Sequence, residues 1–84
     1  MRLDKFLKVS RLIKRRTLAK EFCDTGRVLV NDRPSKPANE LVVGDVLEIR
    51  YGQKRLRVEV LELRSAASVT EARNMYQVIA EIQS

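Results

Sequence analysis

Leu3, Phe6 and Leu7 stand three and four positions apart, the spacing of one helical face, and Arg2, Lys5 and Lys8 fall between them. The spacing predicts a short first helix whose apolar stripe is too narrow to stand alone, so it must rest on a partner. A bend is expected around Ser10 to Lys14. Leu18, Ala19, Phe22 and Cys23 then repeat the helical spacing and predict a second helix from about Arg15 to about Asp24. Gly26 follows directly, where a residue of positive φ commonly ends a helix, and RVLV after it alternates polar and apolar as a strand does.

Asn31, Asp32, Arg33 and Pro34 predict a turn, because Asn and Asp tolerate left-handed backbone and Pro cannot continue a ladder. The chain then loops through PSKPANE. Val43 to Asp45 reads as another turn, and VLEIR as a strand ending at Tyr51 and Gly52, with Gln53 and Lys54 completing a hairpin loop. RLRVEVLEL sets Leu56, Val58 and Val60 against Arg55, Arg57 and Glu59, a strand with one buried face. The alternation slips near Leu61, where a bulge is expected. From Thr70 the spacing turns helical again through Ala72, Met75, Tyr76 and Ile79, with Ser68 or Thr70 as N-cap and SAAS at 65–68 as linker. The expected class is α+β: two N-terminal helices packed on a small, mostly antiparallel sheet, with a C-terminal helix packing on it.

Length and composition narrow the function. Eighty-four residues have room for one compact domain. No apolar run approaches the roughly 20 residues needed to cross a bilayer. The start, MRLDKFLKVSRLIKRR, is charged throughout and lacks the features of a secretory signal, so the mature protein is expected to begin at Met1. The single cysteine, Cys23, cannot form an internal disulfide, and the cytoplasm is the expected compartment. Histidine is absent, which removes the commonest general base and every Cys/His zinc pattern and leaves only carboxylate-based metal chemistry. Cys23 lies on an apolar face with no histidine to activate it, so burial rather than nucleophilic chemistry is expected. No cofactor and no metal are expected.

Charge points to a partner. The net charge is +6, and residues 1–37 hold eleven Lys or Arg against four Asp or Glu, whereas residues 38–84 hold six against seven. A one-sided basic block is the footprint of a surface for polyanions, nucleic acid first among them. Lys14, Arg15 and Arg16 are adjacent like charges that gain nothing from folding, whereas Lys5 and Lys8 also fit an ordinary solvated helix face. Phe6 and Phe22 fit the core and Tyr76 the apolar stripe of the last helix. Only Tyr51 and Tyr76 are left as possible base-stacking groups, so a single-strand platform is not expected.

The stretch RLDKFLKVSRLIKRRTLAKEFCDTGRVLVNDRPSKPANELVVGDVLEI combines a two-helix basic unit, a glycine stop and a strand ending in VND, and in that ordered combination it resembles the S-four RNA-binding domain, with its αL motif. On this resemblance residues 1–64 form the S-four-type domain and residues 65–84 a C-terminal linker and helix packing on it. A chain of this length looks like the stand-alone members, the heat-shock protein fifteen and RqcP group. Its opening MRLDKFLKVSRLIKRRTLAKE and its tail with NMY are most similar to the RqcP side. The resemblance implies a role in bacterial ribosome-associated quality control. The chain would bind the large ribosomal subunit carrying obstructed peptidyl-tRNA, contact large-subunit rRNA and the P-site tRNA, and support the alanine-tailing factor. The alternatives are a heat-shock-protein-fifteen-like recycling factor for stalled large subunits or another structured-RNA binder. A monomer off the ribosome and no membrane partner are expected.

The candidate RNA contacts are Arg2, Lys5, Lys8, Arg11, Lys14, Arg15, Arg16, Lys20, Arg27, Asn31 and Lys36. RNA helices are recognised through phosphates, 2′-hydroxyls and the shallow groove, which calls for cations on a rigid element. Arg ranks above Lys because its planar fork holds a phosphate bidentately. Many family members read VNG where this chain has Val30, Asn31 and Asp32, and an acid there weakens phosphate attraction locally. Two rival classes remain. An enzyme would need an assembled acid–base set, but Asp24, Asp32, Glu40 and Asp45 are scattered through turns without metal-site spacing. A helix-turn-helix for DNA would need a base-reading Asn or Gln in the second helix, which has none.

Overall fold

The computed structural model describes residues 1–83. In chain order its elements are α1 (Leu3–Val9), α2 (Arg16–Asp24), β1 (Val28–Val30), β2 (Arg33–Pro34), β3 (Val46–Tyr51), β4 (Lys54–Val60), α3 (Val69–Arg73) and β5 (Tyr76–Gln83). The five strands form one antiparallel sheet in the order β2-β1-β3-β4-β5. Leu3, Phe6 and Leu7 of α1 and Ala19 and Cys23 of α2 close on Val28, Leu47, Ile49, Val58 and Val60 in one core. The class is α+β, with the two basic helices on one face of the sheet as expected.

Seven residues do not hold a helix in water, so α1 depends on what it touches. Its first-turn amides, orphaned by helix geometry, are taken up from across the chain. Leu3 N–H donates to the Asn39 carbonyl at 2.8 Å, Asp4 N–H to the Pro37 carbonyl at 3.1 Å, and Lys5 N–H to the Asp4 carboxylate at 2.8 Å. The PSKPANE loop therefore caps the first helix. At the other end, Ile13 N–H donates to the Leu7 carbonyl at 3.1 Å, and the Tyr51 hydroxyl donates to the Leu12 carbonyl at 2.6 Å. Ile13 is buried among the core residues, so the bend between α1 and α2 is pinned rather than loose.

Gly26, at φ 74°, ends α2 as expected. Asn31 and Asp32 have φ of 51° and 69°, the two successive positive values of the tightest hairpin turn, which joins β1 to a two-residue β2 that the sequence pattern did not suggest. Gly52 and Gln53 alone form the β3–β4 loop, and Lys54, expected in that loop, already pairs with Tyr51.

The structure differs from the sequence pattern at two further places. The slip near Leu61 marks the end of β4 at Val60. The register irregularity lies instead between Arg57 and Val58 against β5, with Ile79 as the extra residue. The expected C-terminal helix is present, but it ends at Arg73 instead of running on through Tyr76 and Ile79. Ser68 accepts the Glu71 amide and Glu71 accepts the Ser68 amide in a capping box, and Ala72 and Met75 are buried. Tyr76–Gln83 then pairs along β4. The physical reason is twofold: Val78, Ile79 and Ile82 favour a strand, and a longer helix would leave the edge of β4 with unmade backbone hydrogen bonds.

Candidate nucleic-acid interface

Asp4 organises the arginines at the start of both helices. Its side chain is 4% exposed, yet Arg2 donates to it through Nε and Nη2, each at 3.2 Å, and Arg16 through Nη2 at 3.4 Å. Burial alone would push this carboxyl up, but the hydrogen bonds and positive charges of Arg2 and Arg16 outweigh it and hold it below its usual value. One buried acid thus holds two half-exposed guanidinium groups side by side and leaves a net positive charge at the surface. Neither sequence spacing nor charge count singled out Asp4. The signal was an acid on the otherwise apolar face of a basic helix.

The start of α2 is built against its own stability. Arg15 is the N-cap residue in extended backbone and offers no side-chain acceptor. Among the described residues no acceptor takes the amides of Arg16, Thr17 or Leu18. The first turn has no acid and the last turn no base, while Glu21 and Asp24 sit toward the C-terminal end. A helix gains from the opposite arrangement, because its N-terminus is already the positive end of its dipole. Free amides, dipole and the Lys14–Arg16 run therefore add to one positive field, the arrangement that favours an anion at a helix start.

Lys8, Arg11 and Lys14 come together along a cleft of about 550 Å³ between α1, the bend and the segment 65–67, lined also by Val9 of α1 and by Ser65, Ala66 and Ala67. Arg11 has φ 64°, in the left-handed region, and its Nη2 donates across the cleft to the Ala67 carbonyl at 3.3 Å. Lys20 lies one turn beyond Arg16 on α2, on the same helical face. Lys5 is partly buried on α1. The remaining candidates do not line this cleft. Arg27, past the far end of α2, has its guanidinium carbon 5.1 Å from the centre of the Phe22 ring. The Asn31 amide is held within the protein, donating to Asp45 Oδ1 at 3.1 Å and accepting the Val46 amide at 3.0 Å. Lys36 is exposed in the loop that caps α1.

Ion pairing divides the two halves of the chain. After residue 37, four of six cations pair with the protein's own acids: Arg50 with Glu48, Lys54 with Glu81, Arg57 with Glu48 and Asp32, and Arg64 with Glu62 and Glu71. Before it, the described residues pair only Arg2 and Arg16 of the eleven, both through Asp4. The sequence surplus of positive charge is therefore also a surplus of uncompensated charge.

Other candidate chemistry is closed off. Cys23 is 5% exposed, and burial, with the charges of Asp4 and Asp24, pushes its thiol up to about 11. Tyr51 spends its hydroxyl on Leu12 and its ring on Phe22, 5.9 Å away and tilted by 58°, so it braces the bend instead of offering a stacking face. The segment 65–67, which faces the cations across the cleft, carries no sequence signal beyond that of a linker.

Comparison with known proteins fits this geometry. The S4 domain model matches residues 1–47. The RQC P-site tRNA stabilizing factor of Bacillus subtilis (strain 168) is 53% identical over 81 residues, covering 96% of this chain and 94% of that protein. The heat shock protein 15 homolog of Haemophilus influenzae is 31% identical over 78 residues, covering 92% of this chain and 60% of that protein. The trimeric structure of Vibrio cholerae heat shock protein 15 superposes with a TM-score of 0.89 at 27% identity, over 95% of this chain and 82% of that one.

Proposed function

The chain belongs to the S4 domain family, and from that premise we propose that it is an RNA-binding factor of bacterial ribosome quality control that steadies P-site tRNA on an obstructed large subunit. In this reading residues 1–64 are the RNA-binding module, followed by a linker, the short helix α3 and the strand β5 that completes the sheet. The protein works in the cytoplasm without a catalytic step, contacts large-subunit rRNA and peptidyl-tRNA, and supports the alanine-tailing factor. The relative of B. subtilis, named for stabilising P-site tRNA and matched over nearly its whole length, supports the assignment of role.

The observation that carries the reading is the cluster of uncompensated cations around the uncapped start of α2. Lys8, Arg11, Lys14 and Arg15 lack acid partners among the described residues, and Arg16 shares Asp4 with Arg2. Charge left uncompensated on a pinned bend costs stability and is returned only when a polyanion docks. Sedimentation with large subunits carrying peptidyl-tRNA tests it: the wild-type chain co-sediments, and Arg16→Ala weakens that association. Equal recovery of both proteins, or binding to empty subunits alone, contradicts the proposal.

The heat shock protein 15 likeness favours a second reading, recycling of stalled large subunits. Alanine-tail synthesis in extracts with and without the protein separates the two. Loss of tails follows from the first reading, and unchanged tails with accumulating stalled subunits from the second.

A further inference from the structure

A surface that grips only the phosphates of an RNA helix needs no hollow, yet the cations of the bend line one. The cleft holds about 550 Å³, within the roughly 300–1,000 Å³ of sites that enclose small ligands. Its two walls differ in chemistry. Lys8, Arg11 and Lys14 form one and have no acid partner among the described residues; Ser65, Ala66 and Ala67 form the other with small side chains. Phosphate satisfies the first wall, and the face of a flat heterocyclic base packs on the small side chains of the second, so a nucleotide matches both.

Arg11 reaches over this cleft from the turn that ends α1, where its φ of 64° is the left-handed geometry that commonly closes a helix, strained here for want of a glycine. Here the guanidinium is tethered across the cleft to the Ala67 carbonyl by one N–H, which leaves its other donors and its planar face for a ligand. Guanidinium planes are among the surfaces on which unstacked bases of RNA rest.

We infer that the cleft receives one unpaired ribonucleotide of a structured RNA, its phosphates on Lys8 and Lys14 and its base between the plane of Arg11 and the methyl groups of Ala66 and Ala67. This rests on the RNA-binding reading above and adds to it a requirement for a bulged or extruded residue.

The test uses the full chain and a short RNA hairpin carrying a single bulged 2-aminopurine, beside the same hairpin fully paired. The bulged hairpin binds about tenfold tighter, as one base stack provides, and its emission rises on binding as the base leaves the helix. Ala66→Leu, at an exposed position, fills the cleft and brings the ratio of the two affinities to about one. Arg11→Gly, which keeps the backbone conformation, lowers the same ratio. Equal binding of both hairpins by the wild-type chain, or a preference that survives Ala66→Leu, overturns the cleft assignment and leaves the phosphate grip standing. Failure to bind either hairpin overturns the RNA reading and this inference together. Displacement of the bulged hairpin by micromolar adenosine diphosphate would assign the cleft to free nucleotides and overturn the RNA source.

Discussion

Arg15→Ser should make the protein more stable and a poorer RNA binder at once. Arg15 sits at the N-cap of α2 with φ −123° and ψ 138°, the extended geometry that a capping serine adopts, and gives the helix no side-chain hydrogen bond. A serine there accepts the amide of Thr17 or Leu18, worth about 1 kcal/mol. Removing a cation from the positive end of the helix dipole adds roughly 0.3–1 kcal/mol. For a domain of this size each kcal/mol raises Tm by about 4–8 °C, so the variant should melt some 5–15 °C above wild type. The same change removes one phosphate-neutralising charge and lowers the slope of log affinity against log salt by about 0.7–0.9. Calorimetry and a salt titration of binding to large-subunit rRNA measure the two effects. An unchanged or lower Tm refutes the uncapped-helix argument, and an unchanged salt slope refutes the role given to Arg15.

Arg11→Gly should keep or raise stability, by up to about 1–2 kcal/mol of relieved strain, while weakening RNA binding; a drop in denaturant midpoint would show that Arg11 is held for packing instead. The Asp4 carboxyl, lowered in the folded chain, contributes stability above its ordinary value of 3.8 that is lost as pH falls through the lower folded value. Carboxyl NMR should find Asp4 titrating below 3.8, moving upward in Arg16→Ala, and a wild-type value at or above 3.8 would break the clamp argument. Phe6→Ala, at a fully buried position, should cost about 3–5 kcal/mol. Urea unfolding checks it, and a loss under 1 kcal/mol would mean that α1 is not fixed by its core face.

The parts of the fold legible in the sequence were those in which one local pattern had one solution. Leu3, Phe6 and Leu7 had nowhere to go but a helical face, and Leu56, Val58 and Val60 nowhere but the inside of a strand. The C-terminal segment carried two patterns at once. Ala72 and Met75 do pack as helical spacing requires, but the residues after them are equally regular at a period of two, and only the open edge of β4 decides between the periods. That edge is a tertiary fact. The same distinction holds at the site. The basic block was visible as a count, and its position on the helices as spacing. The clamp at Asp4, the strain at Arg11 and the wall at Ser65–Ala67 depend on pieces of chain brought together by folding: Arg2 with Arg16, and Arg11 with a segment more than fifty residues away. Asn31 shows the converse, since a residue suggested by motif has its amide engaged by Asp45 and Val46.

The proposed interface is one face, made by the start of α1, the bend and the start of α2, that meets the sugar-phosphate backbone. A cryo-microscopy reconstruction of the chain on large subunits carrying peptidyl-tRNA tests this most directly. Lys8, Arg11, Lys14, Arg15 and Arg16 are expected within hydrogen-bonding distance of RNA phosphates, with a phosphate oxygen at the amides that begin α2. A complex in which that face points to solvent, with RNA held instead by the open side of the sheet, would contradict it.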